Sequence, residues 1–400
     1  MESWKKTFYA AWIGQVLSIT AFAFVMPFLP LYIRQLGVQD EAEVIWWAGW
    51  VNAATPLTMA LTAPIWGVLA DRYGRKVMVL RSMLGGAVVL GLMGFCQTVQ
   101  QLFVCRLLQG VLTGTVTAYI ALVASETPRA RSGYTLGMMQ AAVFVGASVG
   151  PSIGGYLADA VGYRWSFVAS GGTLLVGGLL VKYLVTEHFA PAEPAIKGKS
   201  GTIAEVLAGA GFLTAVFTLF TVRVATSAPA PVFPLFVERI RGSSVDINTV
   251  TGLIVSASGV SAAVSAGLFG RLSDAWGHKR LLIGFSVFSA LVSTLTALAQ
   301  NMKQLFLLRI LFGLGAAGMM PAANSIIRQV TADRNLGKAY GLQSSLGSVG
   351  MALGPLAGGY LGASMGLRAP FVLTGIILAV AAALVVWRIR TDAEYAKQPL

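Results

Sequence analysis

Apolar residues run along this chain in long blocks, separated by short stretches that hold most of the charge. A helix needs about 20 predominantly apolar residues to cross the hydrocarbon core of a bilayer. The blocks predict twelve such helices, at 7–33, 45–66, 77–97, 101–124, 134–157, 164–185, 206–237, 249–269, 280–300, 304–327, 337–361 and 368–388. They are continuous rather than alternating. That argues against a transmembrane β-barrel, whose strands are about ten residues of alternating polarity. The first block, Phe8 to Tyr32, is long for a signal-peptide core, and no cleavage site followed by a soluble domain is evident.

Composition agrees. Of 400 residues, 56% are hydrophobic and 11% charged. Soluble domains carry about 25% charged residues, so a water-soluble chain is excluded. Disorder is excluded as well, because it needs low hydrophobicity and high charge. The expected fold class is an all-α polytopic membrane protein with 12 transmembrane helices.

The net charge of +13 matters through its placement. When alternate loops are assigned to the side of Lys5 and Lys6, that side carries 20 of the 29 Lys+Arg. Arg72, Arg75, Lys76, Arg129, Arg131, Lys279, Arg280, Arg334, Lys338, Arg388 and Arg390 are among them. The other side holds six, and three, Arg106, Arg223 and Arg309, stay inside spans. The positive-inside rule then predicts that both termini are cytoplasmic. The basic balance is topological and speaks against a nucleic-acid partner; attraction to the anionic headgroups of the lipid bilayer is its side effect.

An internal repeat organises the chain. Gly67-Val-Leu-Ala-Asp71-Arg-Tyr-Gly74-Arg75-Lys76 recurs as Gly270-Arg-Leu-Ser-Asp274-Ala-Trp-Gly277-His278-Lys279, 203 residues on. Arg106-Leu-Leu-Gln-Gly110 recurs as Arg309-Ile-Leu-Phe-Gly313 at the same offset. Gly150-Pro151 with Gly154-Gly155 recurs at an offset of 204 as Gly354-Pro355 with Gly358-Gly359, and Pro27 with Pro30 as Pro231 with Pro234. The chain therefore reads as an N-terminal six-helix bundle at 1–185, a cytoplasmic linker at 186–205, flexible by composition, and a C-terminal six-helix bundle at 206–400. Parallel repeats of this kind are related by a pseudo-two-fold axis along the membrane normal, and transporters built so place their substrate sites near the midplane.

These motifs resemble those of the major facilitator superfamily, over nearly the whole chain. The Gly67–Lys76 stretch is similar to that superfamily's loop signature between spans two and three. Gly146-Ala-Ser-Val-Gly150-Pro151-Ser-Ile-Gly154-Gly155 is similar to its antiporter motif. Met26-Pro27-Phe28-Leu29-Pro30 resembles the twelve-span drug:proton antiporter branch, which includes bacterial multidrug exporters. The resemblance implies the major facilitator fold in a bacterial cytoplasmic membrane. It further implies a monomer without cofactors that exports small amphipathic molecules against an inward flow of protons. A transporter of one anionic or neutral metabolite, and a non-transporting membrane sensor, stay open as alternatives.

Gly67 and Asp71 share a helix face, where the glycine allows close helix packing and the carboxylate suits a helix N-terminus. Asp71, Arg75 and Glu126 are expected to form a cytoplasmic latch between the halves; Asp274 is the second copy of Asp71, with His278 where Arg75 stands. Gly146, Gly150 and Gly154 make one smooth face, and Pro151 removes a backbone donor. An intramembrane charge is expensive and usually functional. Arg106 has Gln109, Gly110 and Thr113 on its face, whereas Arg223 sits mid-span and answers to Ile19 in the repeat. All 16 Asp+Glu fall in loops or at span ends, so no midplane carboxylate is available for protons or cations. The cavity is expected to draw on Gln15, Ser18 and Phe22 of span one, Asn52 and Met59 of span two, and Tyr119 of span four. Spans five and seven add Met138, Gln140, Phe220 and Arg223; spans ten and eleven add Met319, Asn324 and Gln343. Methionine and aromatic side chains adapt to varied shapes. Two histidines and two cysteines offer neither a metal cluster nor a catalytic triad, and no Walker loop binds ATP. The chain reads as no enzyme, with Cys96 and Cys105 as free thiols.

Overall fold

The computed structural model describes residues 3–189, 210–242, 246–331 and 335–388. Among them every extended element is a helix. In chain order these are α1 (Ser3–Phe24), α2 (Leu29–Gln35), α3 (Glu41–Tyr73), α4 (Arg75–Met93), α5 (Val99–Leu112), α6 (Thr115–Glu126), α7 (Ser132–Val161) and α8 (Tyr163–Leu184), then α9 (Ala210–Ser227), α10 (Phe233–Arg241), α11 (Ile247–Trp276), α12 (His278–Ala297), α13 (Met302–Val330), α14 (Leu336–Met365) and α15 (Ala369–Arg388). Ten of the described helical stretches are long and apolar enough to cross a membrane, and Phe212–Ser227 within α9 is a shorter apolar one. The remaining span falls on α14, which has 30 residues but is rich in glycine and serine.

Three of the predicted spans are not single helices. Span one stops at Phe24, turns through residues 25–28 and resumes as α2, with a proline in the first helical turn. Pro27 cannot donate a backbone bond, while Pro30 is preorganised for a helix start. Span seven repeats this with a turn at 228–232 and Pro234 at the start of α10. Span four breaks for another reason. Gly114 has φ +122° between α5 and α6, a conformation that L side chains rarely adopt. Its counterpart in the repeat is Ala317, and α13 runs through that position unbroken.

Contacts divide the chain into two compact units. The first takes Met1–Asp40, Ala54–Pro194 and Val237–Gly259; the second takes Glu41–Ala53, Ala195–Phe236 and Val260–Leu400. Each unit thus keeps most of one sequence repeat and gains a segment of the other. In the first, α11 begins against α7, where a Cβ on Gly155 would collide with the Asn248 carbonyl. In the second, α3 begins against α14, where a Cβ on Gly49 would lie 2.8 Å from the Pro355 carbonyl oxygen.

The repeat is visible in the packing of each unit. Tyr32 and Phe167 have ring centroids 5.0 Å apart in the first unit; their equivalents Phe236 and Phe371 are also 5.0 Å apart in the second. Ser170 Oγ donates to the Ala21 carbonyl at 2.7 Å, and its equivalent Thr374 donates to the Ala225 carbonyl at 2.8 Å. Thr98 and Asn301, again equivalent, each cap a helix by accepting from a backbone N–H three residues on.

Candidate functional site

In the second unit α9 lies close along α14. A Cβ on Gly350 would stand 3.0 Å from both the Arg223 Cβ and the Phe220 carbonyl oxygen. The small residues of α14 thereby admit Arg223 beside Gly347 and Gly350. The Arg223 carbonyl accepts from Ser227 Oγ at 2.7 Å, and its guanidinium has no ion-pair partner among the described residues. One turn earlier, Phe220 and Phe217 stand 6.1 Å apart, ring to ring. They line an open, largely apolar cavity of about 450 Å³ together with Leu213, Thr214, Val216, Leu346 and Leu384. Arg223 lies one helical turn beyond Phe220 on α9 and is not part of this lining. On α13 and α14, Gln343 Nε2 donates to Asn324 Oδ1 at 2.7 Å, while Gln343 Oε1 is buried without a hydrogen bond.

Arg309 is held differently in the same unit. Its guanidinium carbon lies 4.8 Å from the Phe233 ring centroid and 5.1 Å from that of Phe312, so cation–π attraction stands in for an anion. Its repeat mate Arg106, in the first unit, donates from Nη1 to Gln109 Oε1 at 3.1 Å. Thr55 Oγ1 reaches the same Gln109 oxygen at 3.3 Å and the Arg106 carbonyl at 3.0 Å. Nε of both arginines is buried without a hydrogen bond.

Arg81, one of the 20 basic residues on the side of Lys5, lies within the predicted span 77–97 and turns inward. Its guanidinium lies 3.5 Å from the Trp66 ring centroid and donates to the Thr113 carbonyl at 3.3 Å, at the break between α5 and α6. The broken helix leaves carbonyls that need donors, and Trp66 Nε1 donates to another, that of Val111, at 2.7 Å. Gln15 and Ser18, on α1, are fully buried, with no hydrogen bond on their side chains.

Several residues expected in the cavity pack against helices of their own unit. Tyr119 is wholly buried, its hydroxyl against Met83 sulfur at 3.6 Å. Phe22 and Leu174 point at Gly86 of α4. Met319 is buried in the second unit's core with its sulfur accepting from Ser286. These side chains satisfy packing, which an apolar face on a membrane helix cannot signal separately from a cavity wall. Asn52 bonds its own helix through the Ala48 carbonyl. The Met138 carbonyl accepts from Trp12 Nε1 at 2.9 Å. Met59 is half-buried and Gln140 exposed.

The expected latch residues face other partners here. The backbone N–H groups of Arg75 and Lys76 donate to the Glu187 carboxylate at 2.7 and 2.8 Å. Glu126 accepts from the His188 backbone at 2.9 Å and meets its Nδ1 at 3.0 Å. The start of the linker is therefore seated on the first unit, with Thr186 bonded to Thr7, although its composition suggested looseness. Residues 190–205 lie outside the described residues. Asp71 is exposed. Gly67, expected at a close helix contact, has nothing within 4 Å of a Cβ position among the described residues. The side chain of Asp274 lies outside the described residues.

The α7 glycines do meet a helix. Cβ atoms on Gly146 and Gly150 would stand 2.7 Å from Ile19 Cβ and 2.6 Å from the Thr20 carbonyl oxygen, and one on Gly154 would collide with the Phe24 backbone. α7 continues unbroken through Pro151. Cys96 and Cys105 are free thiols, 3.9 Å apart at sulfur.

The family model described as Major Facilitator Superfamily matches residues 11–247 and 215–400. The chain is 35% identical over 386 residues to the multidrug resistance protein MdtG of Rahnella sp. (strain Y9602), covering 96% of this chain and 94% of that protein. It is 36% identical over 381 residues to MdtG of Salmonella arizonae, covering 94% of each. Among solved structures, an inward-facing, occupied bacterial homologue of the human lysosomal transporter Spinster has a TM-score of 0.81 at 15% identity, covering 98% of both chains. The human organic anion transporter MFSD10 has a TM-score of 0.70 at 17% identity, covering 96% of this chain and all of that one.

Proposed function

The chain belongs to the major facilitator superfamily and is a multi-pass membrane transporter, and from that premise we propose that it exports several unrelated small amphipathic molecules from a bacterial cytoplasm by proton antiport. The relatives named for multidrug resistance support the substrate class. The observation that carries the reading is the pairing of an apolar cavity at Phe217 and Phe220 with the Arg223 cation one turn away. The cavity offers surface without a fixed hydrogen-bond pattern, so it discriminates weakly between shapes.

In this reading both termini are cytoplasmic, the two repeats form six-helix bundles at 1–185 and 206–400, and access alternates between the two membrane faces. Protons exchange at peripheral acids, Glu126 and Asp71, or on the substrate itself, because no carboxylate lies at midplane. The protein works as a monomer in the inner membrane and catalyses no covalent chemistry.

Transport into proteoliposomes with an imposed pH gradient tests the proposal. Several chemically unrelated compounds should move only with the gradient. One accepted compound alone would point to a metabolite transporter. Uptake indifferent to the gradient would remove proton coupling. Neutralising Asp71 and Glu126 together should reduce uphill export; an unchanged pH dependence would take both out of the coupling mechanism.

A further inference from the structure

A second cavity lies far in sequence from Arg223, in the first unit. Its volume is about 470 Å³, and it is lined by Trp4, Lys5, Phe8 and Tyr9 at the start of α1 and by Pro128, Arg131 and Tyr134 at the start of α7. The floor is closed by packed side chains: Phe8 is buried, with ring centroids 5.2 Å from Tyr9 and 6.3 Å from Tyr134. One turn deeper, Trp12 ties α1 to α7 through the Met138 carbonyl. The rim carries two cations. Arg131 is exposed, and Lys5 lies 5.7 Å from the Trp4 ring centroid. The Glu126 carboxylate, at the end of the preceding helix, is engaged by His188.

Each feature points to one ligand chemistry. Tryptophan and tyrosine gather at the level of lipid headgroups, where an apolar ring and a polar edge are both served. Lysine and arginine bind phosphate, arginine through a planar fork of donors. The cavity opens where α1 and α7 begin, at the basic end of the bundle. A mostly polar cavity over packed aromatic rings, with a cationic rim, takes a phosphodiester headgroup whose acyl chains run inward along the helices. We propose that this cavity binds the headgroup of an anionic phospholipid, of the phosphatidylglycerol type, from the cytoplasmic leaflet. The leaflet assignment rests on the topology given above; the binding chemistry does not rest on transport.

Native mass spectrometry of the full-length protein, titrated with phosphatidylglycerol and with phosphatidylethanolamine, tests the site. Each basic side chain near an anionic lipid surface is worth about fivefold in affinity. Lys5→Gln with Arg131→Gln should therefore weaken phosphatidylglycerol binding by roughly 25-fold and leave phosphatidylethanolamine binding unchanged. Lys5→Arg with Arg131→Lys should keep most of the affinity, which separates charge from folding. Lys303→Gln with Arg368→Gln, removing the same charge elsewhere, should behave as the native protein. Equal phosphatidylglycerol binding by the native chain and the Lys5→Gln, Arg131→Gln variant would overturn the proposal. Displacement of the lipid by millimolar glycerol 3-phosphate would assign the site to a soluble phosphate and equally overturn it. Drug transport and reporter-fusion topology, measured separately, show whether the functional reading or the leaflet assignment fails on its own.

Discussion

Arg34 and Glu238 hold equivalent places in the two sequence repeats, 204 residues apart, and their side chains pair with each other: Nη1 lies 3.0 Å from Oε1 and 3.1 Å from Oε2. Both belong to the first unit, which takes Val237–Gly259 from the second repeat. Glu238→Gln should cost little stability, because a pair with side chains 35% and 22% exposed contributes about 0–1 kcal/mol. Glu238→Arg should cost more, through like-charge repulsion with Arg34, and the exchange Arg34→Glu with Glu238→Arg should recover it. Thermal unfolding of the four proteins in detergent measures this. No recovery in the exchanged protein would show that the two side chains do not interact.

Asp159 makes a stronger attachment. It accepts from Asn248 Nδ2 at 2.6 Å, and from Thr249 N and Oγ1 at 2.7 and 2.6 Å. A carboxylate there satisfies donors in the first turn of α11 and meets the positive end of its dipole. Asp159→Ala should destabilise the protein by about 1–3 kcal/mol, the cost of leaving such donors unpaired. Thr249→Ala should lose much of its own effect in the Asp159→Ala background. Additive losses in that cycle would rule out the contact.

The seated linker gives a third test. Glu187 accepts the backbone N–H groups of Arg75 and Lys76 at the start of α4. Lys76 Nζ returns to the Val185 carbonyl at 2.7 Å. Glu187→Ala should cost about 1 kcal/mol, as for the loss of an N-terminal cap, and should speed proteolysis of the linker after residue 189. Digestion at the native rate would mean that Glu187 does not hold the segment.

Legibility in the sequence followed the strength of the physical constraint. Span count came from a bilayer's demand for continuous apolar length. The repeat came from residues whose packing recurs, as Tyr32 with Phe167 recurs in Phe236 with Phe371. The break at Gly114 was not legible, since a glycine in an apolar block serves close packing as readily as a positive φ. Tyr119, Phe22 and Met319 pack against their own unit, and helical periodicity does not say which apolar face meets a cavity and which meets a neighbouring helix. Arg81 lies six residues into α4, where an arginine can snorkel or turn inward, and its stacking on Trp66 decides for inward. The seat of Glu187 and His188 depends on residues more than sixty positions away, which linker composition does not encode.

Arg223 carries the last prediction, on charge selectivity. Its side chain lies beside Gly347 and Gly350 of α14, without an ion-pair partner among the described residues, and Phe220 of the apolar cavity is one turn away. A charge held partly out of water without an ion partner is costly, so water, carbonyl dipoles or an incoming anion must offset it. Of these, only the anion also serves binding. Anionic, zwitterionic and neutral amphiphiles should therefore be accepted better than bare cations, whose approach the guanidinium opposes. A hydrogen bond to a charged group is worth about 1.5–3 kcal/mol, so Arg223→Gln should weaken an anion by roughly 10- to 150-fold. Arg223→Lys should retain part of the affinity, since it keeps the charge and loses the planar fork. Transport of a lipophilic anion and a lipophilic cation of similar size, compared across the three proteins, reads the effect as a change in their ratio. Arg223→Gln should move that ratio toward the cation. An unmoved ratio, with both compounds carried as in the native protein, would return Arg223 to a purely structural role on α14.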